Sequence, residues 1–289
     1  MVSGSTLALI VMRKMKMATN NYWAERMANA QNTLTDKNRR EVDKQIRKYY
    51  QSISKQIIED FENTFNKLLV DMEKVATGER TAITVADLYK LDKYWEMQKQ
   101  VQSKLTKLGN KQIAALTKAF KTEYWEIYRY FSLEGVKAFS TIDDVAVKQV
   151  INQIWCSDGK SWSQRVWENT SYLQQTLNDE LIHCVVSGKD SSYLKKLLME
   201  RFSVSYNNAD MLVRTELAHI QTQAAQQRYK DYGIAKMEVW VDEDERTCPV
   251  CSKHEGEVYS VNSKMPVPFH PRCRCCMIPV IDIPKINTF

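Results

Sequence analysis

The sequence predicts a mainly α-helical protein that ends in a small α+β module, and three observations support this class. Apolar residues recur at spacings of three and four over most of the chain, which is the periodicity of amphipathic helices. The first proline is Pro249, so no proline interrupts the helical hydrogen bonds before that point. After residue 233 the apolar period changes to two, which is typical of strands, and most of the cysteines follow.

The first part of the chain, residues 17–156, is expected to be an elongated helical region. Its longest helix is predicted over 35–78, and about 40 helical residues span roughly 60 Å. Residues 1–16 are interpreted either as a non-structural start or as a mis-called start, because Met17 opens a polar segment suited to a helix. No apolar run in the sequence is long enough to span a membrane.

Capping residues and glycines divide the rest of this region into shorter helices. A second helix is predicted over 84–109, a third over 110–139 and a fourth over 145–155. The break between the second and third follows from Gly109 and Asn110, since glycine favours helix C-termini and asparagine favours N-caps.

The second part, residues 157–289, is expected to be a compact C-terminal domain. Helices are predicted over 162–186, 191–198 and 208–232, and the last two could be taken for a helix-turn-helix. Base contacts would be made near the start of the final helix, where Arg214 is the basic residue. Packing of the two helices in a core is therefore preferred over DNA reading.

Two short segments near the C-terminus alternate between apolar and polar residues, as half-buried strands do. Strands are predicted over 237–242 and 257–261, and together they would form a short β-hairpin. A third, over 277–281, is expected at a sheet edge, because Pro279 has no amide hydrogen to donate to a ladder.

A cluster of metal-ligating residue types defines a Cys/His module over 246–276. Cys248-x2-Cys251 is followed by His270-x2-Cys273-x-Cys275. Two ligands separated by two residues can hold one cation from a tight turn, and a second such pair completes a tetrahedron. The predicted ligands are Cys248, Cys251 and Cys273, with either His270 or Cys275 as the fourth.

The expected ion is a structural zinc. Without a secretory signal, clustered cysteines favour metal binding over a disulfide framework, although packed cysteines, reduced or partly disulfide-bonded, are an alternative. Protein side chains can fill all four positions, which disfavours a catalytic or redox site because no position stays open for water. The adjacent Cys276 is a competing ligand.

Charge and missing motifs limit the remaining function classes. The net charge of +6 comes from the first half of the chain, which suits an acidic partner or packaged nucleic acid as well as a merely solvated helical face. The sequence contains no phosphate-binding loop, no dinucleotide-binding glycine pattern, no nucleophile elbow and no HExxH. The protein is therefore expected not to be an enzyme.

Three motifs in the C-terminal part occur together in one known family. They are Val213-Arg-Thr-Glu216, Arg246-Thr-Cys-Pro-Val-Cys251 and His270-Pro-Arg-Cys-Arg-Cys275. With the helix and strands between them, the chain over 162–280 resembles the phage head morphogenesis family typified by the Mu F-like minor head proteins. The resemblance implies a minor capsid protein, bound to the portal inside the assembling head, that assists procapsid assembly and the packaging or delivery of DNA.

The same resemblance implies the partners and the location. The portal protein and capsid or scaffold proteins are the expected partners, with packaged DNA as a further, non-specific one. The protein would reside in the virion, inside the head, and in the host cytoplasm during assembly. Two alternatives stay open: a nucleic-acid-binding protein that uses the basic N-terminal helices, and an undetected enzyme such as an ADP-ribosyltransferase or a nuclease.

Overall fold

The computed structural model describes residues 20–75, 84–132, 144–241 and 247–281. The helical elements are α1 (Asn20–Ala30), a π-helix (Gln31–Thr35), α2 (Asp36–Val75), α3 (Val85–Tyr89), α4 (Asp92–Tyr130), α5 (Asp144–Ile151), α6 (Trp162–Val186), α7 (Ser191–Asp231) and α8 (Pro249–Ser252). The strands are β1 (Lys236–Trp240), β2 (Val258–Ser260) and β3 (Cys276–Val280). The predicted class, mainly α with a small C-terminal sheet, is confirmed. The proposed start segment, 1–16, lies outside the described residues.

The chain forms two compact units, each made of separate stretches of sequence. Unit 1 comprises Met1–Val42, Thr117–Gln153 and Met211–Phe289, and unit 2 comprises Asp43–Leu116 and Ile154–Asp210. One limit, after Gln153, lies near the boundary predicted at residue 156, and the others fall within α2, α4 and α7. The predicted division into domains at 156 stays a prediction.

Several predicted helices have the expected limits. Helix α2 runs for 40 residues, and α6 covers Trp162–Val186 as the sequence indicated. Helix α6 begins with a capping box in which the Ser161 hydroxyl accepts from Gln164 N at 3.3 Å and the Gln164 side chain accepts from Ser161 N at 2.8 Å. The predicted 145–155 helix is shorter, since α5 ends at Ile151.

The predicted break at Gly109 and Asn110 is wrong, because α4 is one helix of 39 residues. A Cβ on Gly109 would lie 2.5 Å from Cζ3 of the Trp167 ring. Real atoms do not approach so closely, so the glycine is the residue that allows the indole to lie against the backbone of α4. The glycine reflects packing between helices and not a helix end.

The predicted gap between helices at 199–207 is also wrong, because α7 runs without interruption for 41 residues. The polar residues that suggested a turn bind neighbouring helices instead. The Ser205 carbonyl accepts from Asn169 Nδ2 at 2.9 Å, and its hydroxyl lies 3.0 Å from the hydroxyl of Tyr50. Asn208 Nδ2 donates to Asn169 Oδ1 at 3.3 Å. A continuous helix excludes the helix-turn-helix alternative.

Unit 2 is a bundle built from parts of α2, α4, α6 and α7. Polar contacts join these helices: Tyr94 donates to Asn178 at 2.7 Å, Lys195 pairs with Glu62 at 2.9 Å, and Lys104 pairs with Asp60. The apolar face of each helix is buried at the centre, as its periodicity predicts. The core includes Ile46, Ile57, Phe61, Phe65, Leu68, Met97, Leu105, Leu108, Leu173, Leu177, Leu181, Leu194 and Leu198.

Unit 1 carries the three-stranded antiparallel sheet, with strand order β2-β1-β3. The edge position predicted for the third strand is confirmed, and Pro279 lies opposite Met237. Helix α1 packs against β3, and α7 binds the chain after β2, because Gln226 Nε2 donates to the carbonyl oxygens of Val261 at 2.7 Å and Ser263 at 2.9 Å. Trp23, Phe131 and Tyr229 form an aromatic cluster beside these elements.

A buried carboxylate lies at the end of the π-helix. Glu123 of α4 is fully buried. Its Oε1 accepts from the Thr35 hydroxyl at 2.6 Å and its Oε2 accepts from Asn38 Nδ2 at 2.9 Å. Burial raises the pKa of Glu123 to about 7, because the two hydrogen bonds only partly replace the lost hydration of the charge. Asn38 also donates to Glu126 at 2.9 Å.

No helix within the described ranges combines the length and the apolar character that crossing a bilayer requires.

Replacing Gly109 by alanine tests the packing of Trp167 against α4. Alanine is the better helix former by about 1 kcal/mol, yet the clash should lower the free energy of unfolding by about 1–3 kcal/mol, as overpacking does. Urea unfolding followed by circular dichroism measures the change. In a Trp167→Ala background the same substitution should become neutral or stabilising, and a loss of equal size in both backgrounds would contradict this account.

Replacing Glu123 by glutamine tests the buried carboxylate. The folded-state pKa of about 7 lies above the ordinary value of 4.5, so the native state binds more protons between these limits. The contribution of Glu123 to stability is therefore full below pH 4.5 and is lost as the pH rises toward 7. Urea midpoints of wild type and Glu123→Gln from pH 5 to 8 should converge at low pH, with the variant gaining at most about 3 kcal/mol at pH 8. The exposed Glu96→Gln, on the same helix, is the control and should leave the wild-type slope intact.

Candidate metal centre

The first ligand pair is positioned by the short helix α8. Cys248 is its N-cap, and the Cys248 Sγ accepts from Cys251 N at 3.4 Å. Pro249 occupies the first helical position, where its fixed φ suits the turn and its missing amide hydrogen costs no hydrogen bond. The Cys-Pro-Val-Cys sequence thus brings both thiols to one side of the same turn.

The second pair comes from the segment His270–Cys275, called here the metal loop, which immediately precedes β3. A turn in which Cys273 N donates to the His270 carbonyl at 3.1 Å brings these two side chains together. Within the turn Arg272 has a φ of +62°, in the left-handed region. The loop therefore folds back on itself within four residues.

The two pairs converge. The Nε2 atom of His270 lies 3.2 Å from Cys248 Sγ and 3.0 Å from Cys251 Sγ, and Cys251 Sγ lies 3.7 Å from Cys273 Sγ. The potential ligand atoms form two groups with all separations within 4.8 Å: Cys248, Cys251 and His270 in one, Cys251, Cys273 and Cys275 in the other. The structure thus brings all five predicted residues together, and Cys251 is common to both groups.

The neighbouring Cys276 belongs to neither of these groups. It is the first residue of β3, pairs with Trp240 of β1, and its Sγ lies 3.8 Å from the Trp240 carbonyl oxygen. The Cys276 thiol thus lies against the backbone of β1 and outside both groups of potential ligand atoms. That Cys276 competes as a ligand stays a prediction.

The cysteines differ in how readily they ionise. Backbone hydrogen bonding from Cys251 lowers the pKa of Cys248 to about 7. A hydrogen bond from the Cys275 thiol lowers the pKa of Cys273 to about 5 and raises that of Cys275 itself. Burial raises the pKa of Cys251 to about 12. Metals bind thiolates, so Cys248 and Cys273 are the cysteines best prepared for a cation.

The imidazole is oriented by its own loop. The Nδ1 atom of His270 lies 2.8 Å from the Pro271 carbonyl oxygen, to which an Nδ1–H group donates. This contact leaves the lone pair on Nε2, the nitrogen that faces the thiols. A backbone carbonyl on the outer nitrogen is the usual arrangement around a metal-ligating histidine.

The dimensions fit a tetrahedral ion. Zinc–sulfur bonds of about 2.3 Å place two sulfur ligands roughly 3.8 Å apart, close to the 3.7 Å between Cys251 and Cys273. The separations from His270 Nε2 are shorter than the roughly 3.5 Å of a tetrahedral sulfur–nitrogen pair. The imidazole would therefore move outward by a few tenths of an ångström around an ion of this kind. The cluster could hold a metal ion.

Two residues that support the centre were not identified from the sequence. The hydroxyl of Thr215 on α7 accepts from Arg272 N at 3.1 Å, and Gln31 Nε2 of the π-helix donates to the Arg274 carbonyl at 3.2 Å. Thr215 lies within the Val213–Glu216 motif, but no role for its hydroxyl was predicted from the sequence. Nothing in the local sequence marks Gln31, because its partner is more than 240 residues away.

Comparison with known proteins gives one match. The family model described as Phage Mu protein F like protein matches residues 175–278. This segment includes the C-terminal part of α6, all of α7, the three strands apart from the end of β3, and the five clustered Cys and His residues. Neither the search of curated proteins nor the search of solved structures found a match.

The matched segment contains the metal loop together with the helix and strands that position it. The resemblance expected from the three sequence motifs is confirmed over this segment. Similarity to this family implies a location in the virion. Over residues 175–278 the chain thus resembles the Phage Mu F-like family, which suggests a phage head protein.

Proposed function

We propose that the chain is a minor head protein that binds the portal inside the assembling head and acts in procapsid assembly and in the packaging or delivery of DNA. The observation that carries the proposal is the family match over 175–278, which coincides with an intact Cys/His module. Capsid or scaffold proteins are further partners, and the host cytoplasm is the site of assembly.

We also propose that the module holds one structural zinc ion. The fit of the Cys251–Cys273 separation, the pre-oriented His270 and the low thiol pKa of Cys273 support it. Five candidate donors surround the position, more than the four that zinc requires, so the protein can close the coordination shell without water. A closed shell supports a structural role, and the chain is proposed not to be an enzyme.

The three ligands predicted first, Cys248, Cys251 and Cys273, are joined by His270 in this proposal. The imidazole nitrogen approaches two of the thiols closely, and its tautomer is set by Pro271. Cys275 then acts as a neutral thiol that donates to the Cys273 thiolate. The competing arrangement has Cys275 as the fourth ligand and His270 outside the shell.

Binding to the portal is tested by mixing the full chain with the portal ring of the same phage and separating complexes by size. Co-migration with the ring is expected, together with weak binding of duplex DNA at physiological salt. The nucleic-acid-binding alternative predicts tight duplex binding that falls steeply with salt, because counterions are released from the phosphates. Tight duplex binding combined with indifference to the portal would refute the portal proposal.

Zinc content is tested on protein purified without added metal. About one equivalent of zinc is expected by elemental analysis. Cys251→Ser should lose the ion and unfold the C-terminal sheet, because metal binding at such a site contributes directly to folding. Cys276→Ala is the matched control and should keep the ion. Metal-free wild type together with a normally folded Cys248→Ser variant would contradict the zinc site.

The fourth ligand is decided by comparing His270→Gln with Cys275→Ala. His270→Gln should weaken zinc binding by several orders of magnitude in a chelator competition, since it removes a direct ligand. Cys275→Ala should weaken it by about 10-fold, the usual effect of a group that only hydrogen-bonds a ligand. The reverse ranking would assign the position to Cys275. Cobalt substitution gives an independent readout, because its absorption depends on the number of bound sulfurs.

A further inference from the structure

Two side chains from separate elements hold the backbone of the metal loop between its ligands. One belongs to Thr215 of α7 and binds the amide of Arg272, and the other belongs to Gln31 of the π-helix and binds the carbonyl of Arg274. These two backbone groups flank Cys273 on either side. The position of that ligand therefore depends on both helical elements.

The Thr215 hydroxyl both donates and accepts a hydrogen bond. The hydroxyl donates to the Met211 carbonyl of its own helix at 2.8 Å and accepts from Arg272 N at 3.1 Å. The bond to Met211 fixes the hydroxyl hydrogen and directs a lone pair at the loop. Because Arg272 is in the left-handed conformation, which is unfavourable for a residue other than glycine, this bond also helps to hold a strained residue.

Gln31 connects the loop to the N-terminal helix. It is the first residue of the π-helix, whose wide turn is closed by Asp36 N donating to the Gln31 carbonyl. Its side-chain amide is 3.2 Å from the Arg274 carbonyl, and it also lies 3.5 Å from Oε1 of the buried Gln221. Single π-helical turns are uncommon and concentrate at functional positions. At its other end the same turn is fixed by the bond from Thr35 to Glu123.

We propose that Gln31 and Thr215 are positioning residues of the metal centre, so that zinc binding and the docking of α1 stabilise each other. The proposal rests on the zinc site proposed above. Neither residue would touch the ion. They would instead hold the loop in the conformation that binds it, and the ion would in turn hold the loop against the π-helix.

Mutual stabilisation follows from thermodynamic linkage. If the hydrogen bond from Gln31 to the metal loop raises the affinity for zinc by a given factor, bound zinc favours the formation of that hydrogen bond by the same factor. A purely structural contribution would behave differently, because it would stabilise the metal-free and the metal-bound chain equally and leave the affinity for zinc unchanged. The affinity is therefore the quantity that distinguishes the two.

The first test measures zinc affinity of the full chain by competition with a chromophoric chelator. Gln31→Ala and Thr215→Val should each raise the Kd by about 10-fold, in the range seen for groups that support metal ligands. Thr33→Ala is the control for Gln31→Ala. Thr33 lies in the same π-helix, but its hydroxyl donates to the Asn29 carbonyl at 2.6 Å and does not contact the metal loop. Thr215→Ser keeps the hydroxyl and should keep the affinity.

The second test measures hydrogen exchange with and without zinc. Zinc should slow the exchange of amides over 20–35 in wild type, and Gln31→Ala should abolish this slowing while the amides of α8 remain protected by the ion. Wild type that binds zinc, with unchanged affinity in both variants and no effect over 20–35, overturns the proposal. Wild type that binds no zinc overturns the zinc site itself, which is a distinct result.

Discussion

The C-terminal sheet is too small to be stable alone, and this constraint governs unit 1. Its strands have five, three and five residues. A sheet of this size needs a helix or another support before it holds its shape in water. Helix α7 supplies one such support through Gln226, and α1 supplies another through its packing on β3. The Cys/His module would supply a third, since an ion joining α8 to the metal loop joins segments on both sides of β2.

The metal loop shows how few residues connect these supports. Its side chains face the thiols of α8, its amide at Arg272 binds α7, and its carbonyl at Arg274 binds the π-helix. A left-handed residue between two ligands makes this possible, because it reverses the chain without a glycine. The same six residues thus carry three of the candidate metal ligands, contact two helical elements and lead into β3.

Periodicity in the sequence was enough to predict most elements, and the failures have a common cause. Ligand spacing predicted the Cys/His cluster because a metal site is a local pattern of residue types. Gly109 and the polar stretch around Ser205 were interpreted as breaks because each is unfavourable in an isolated helix. Both are explained by partners distant in sequence, Trp167 and Asn169. The contacts of Gln31 and Glu123 could not be predicted from the sequence for the same reason, because their partners are distant in sequence.

The contact between Gly109 and Trp167 also constrains how related sequences can diverge. Any side chain at position 109 occupies space that the indole ring already fills. Position 109 can therefore accept a larger residue only after position 167 has become smaller, whereas a smaller residue at 167 leaves a void that a larger residue at 109 could fill. The two positions should change as a pair in an alignment of relatives, and both lie outside the segment that the family model matches.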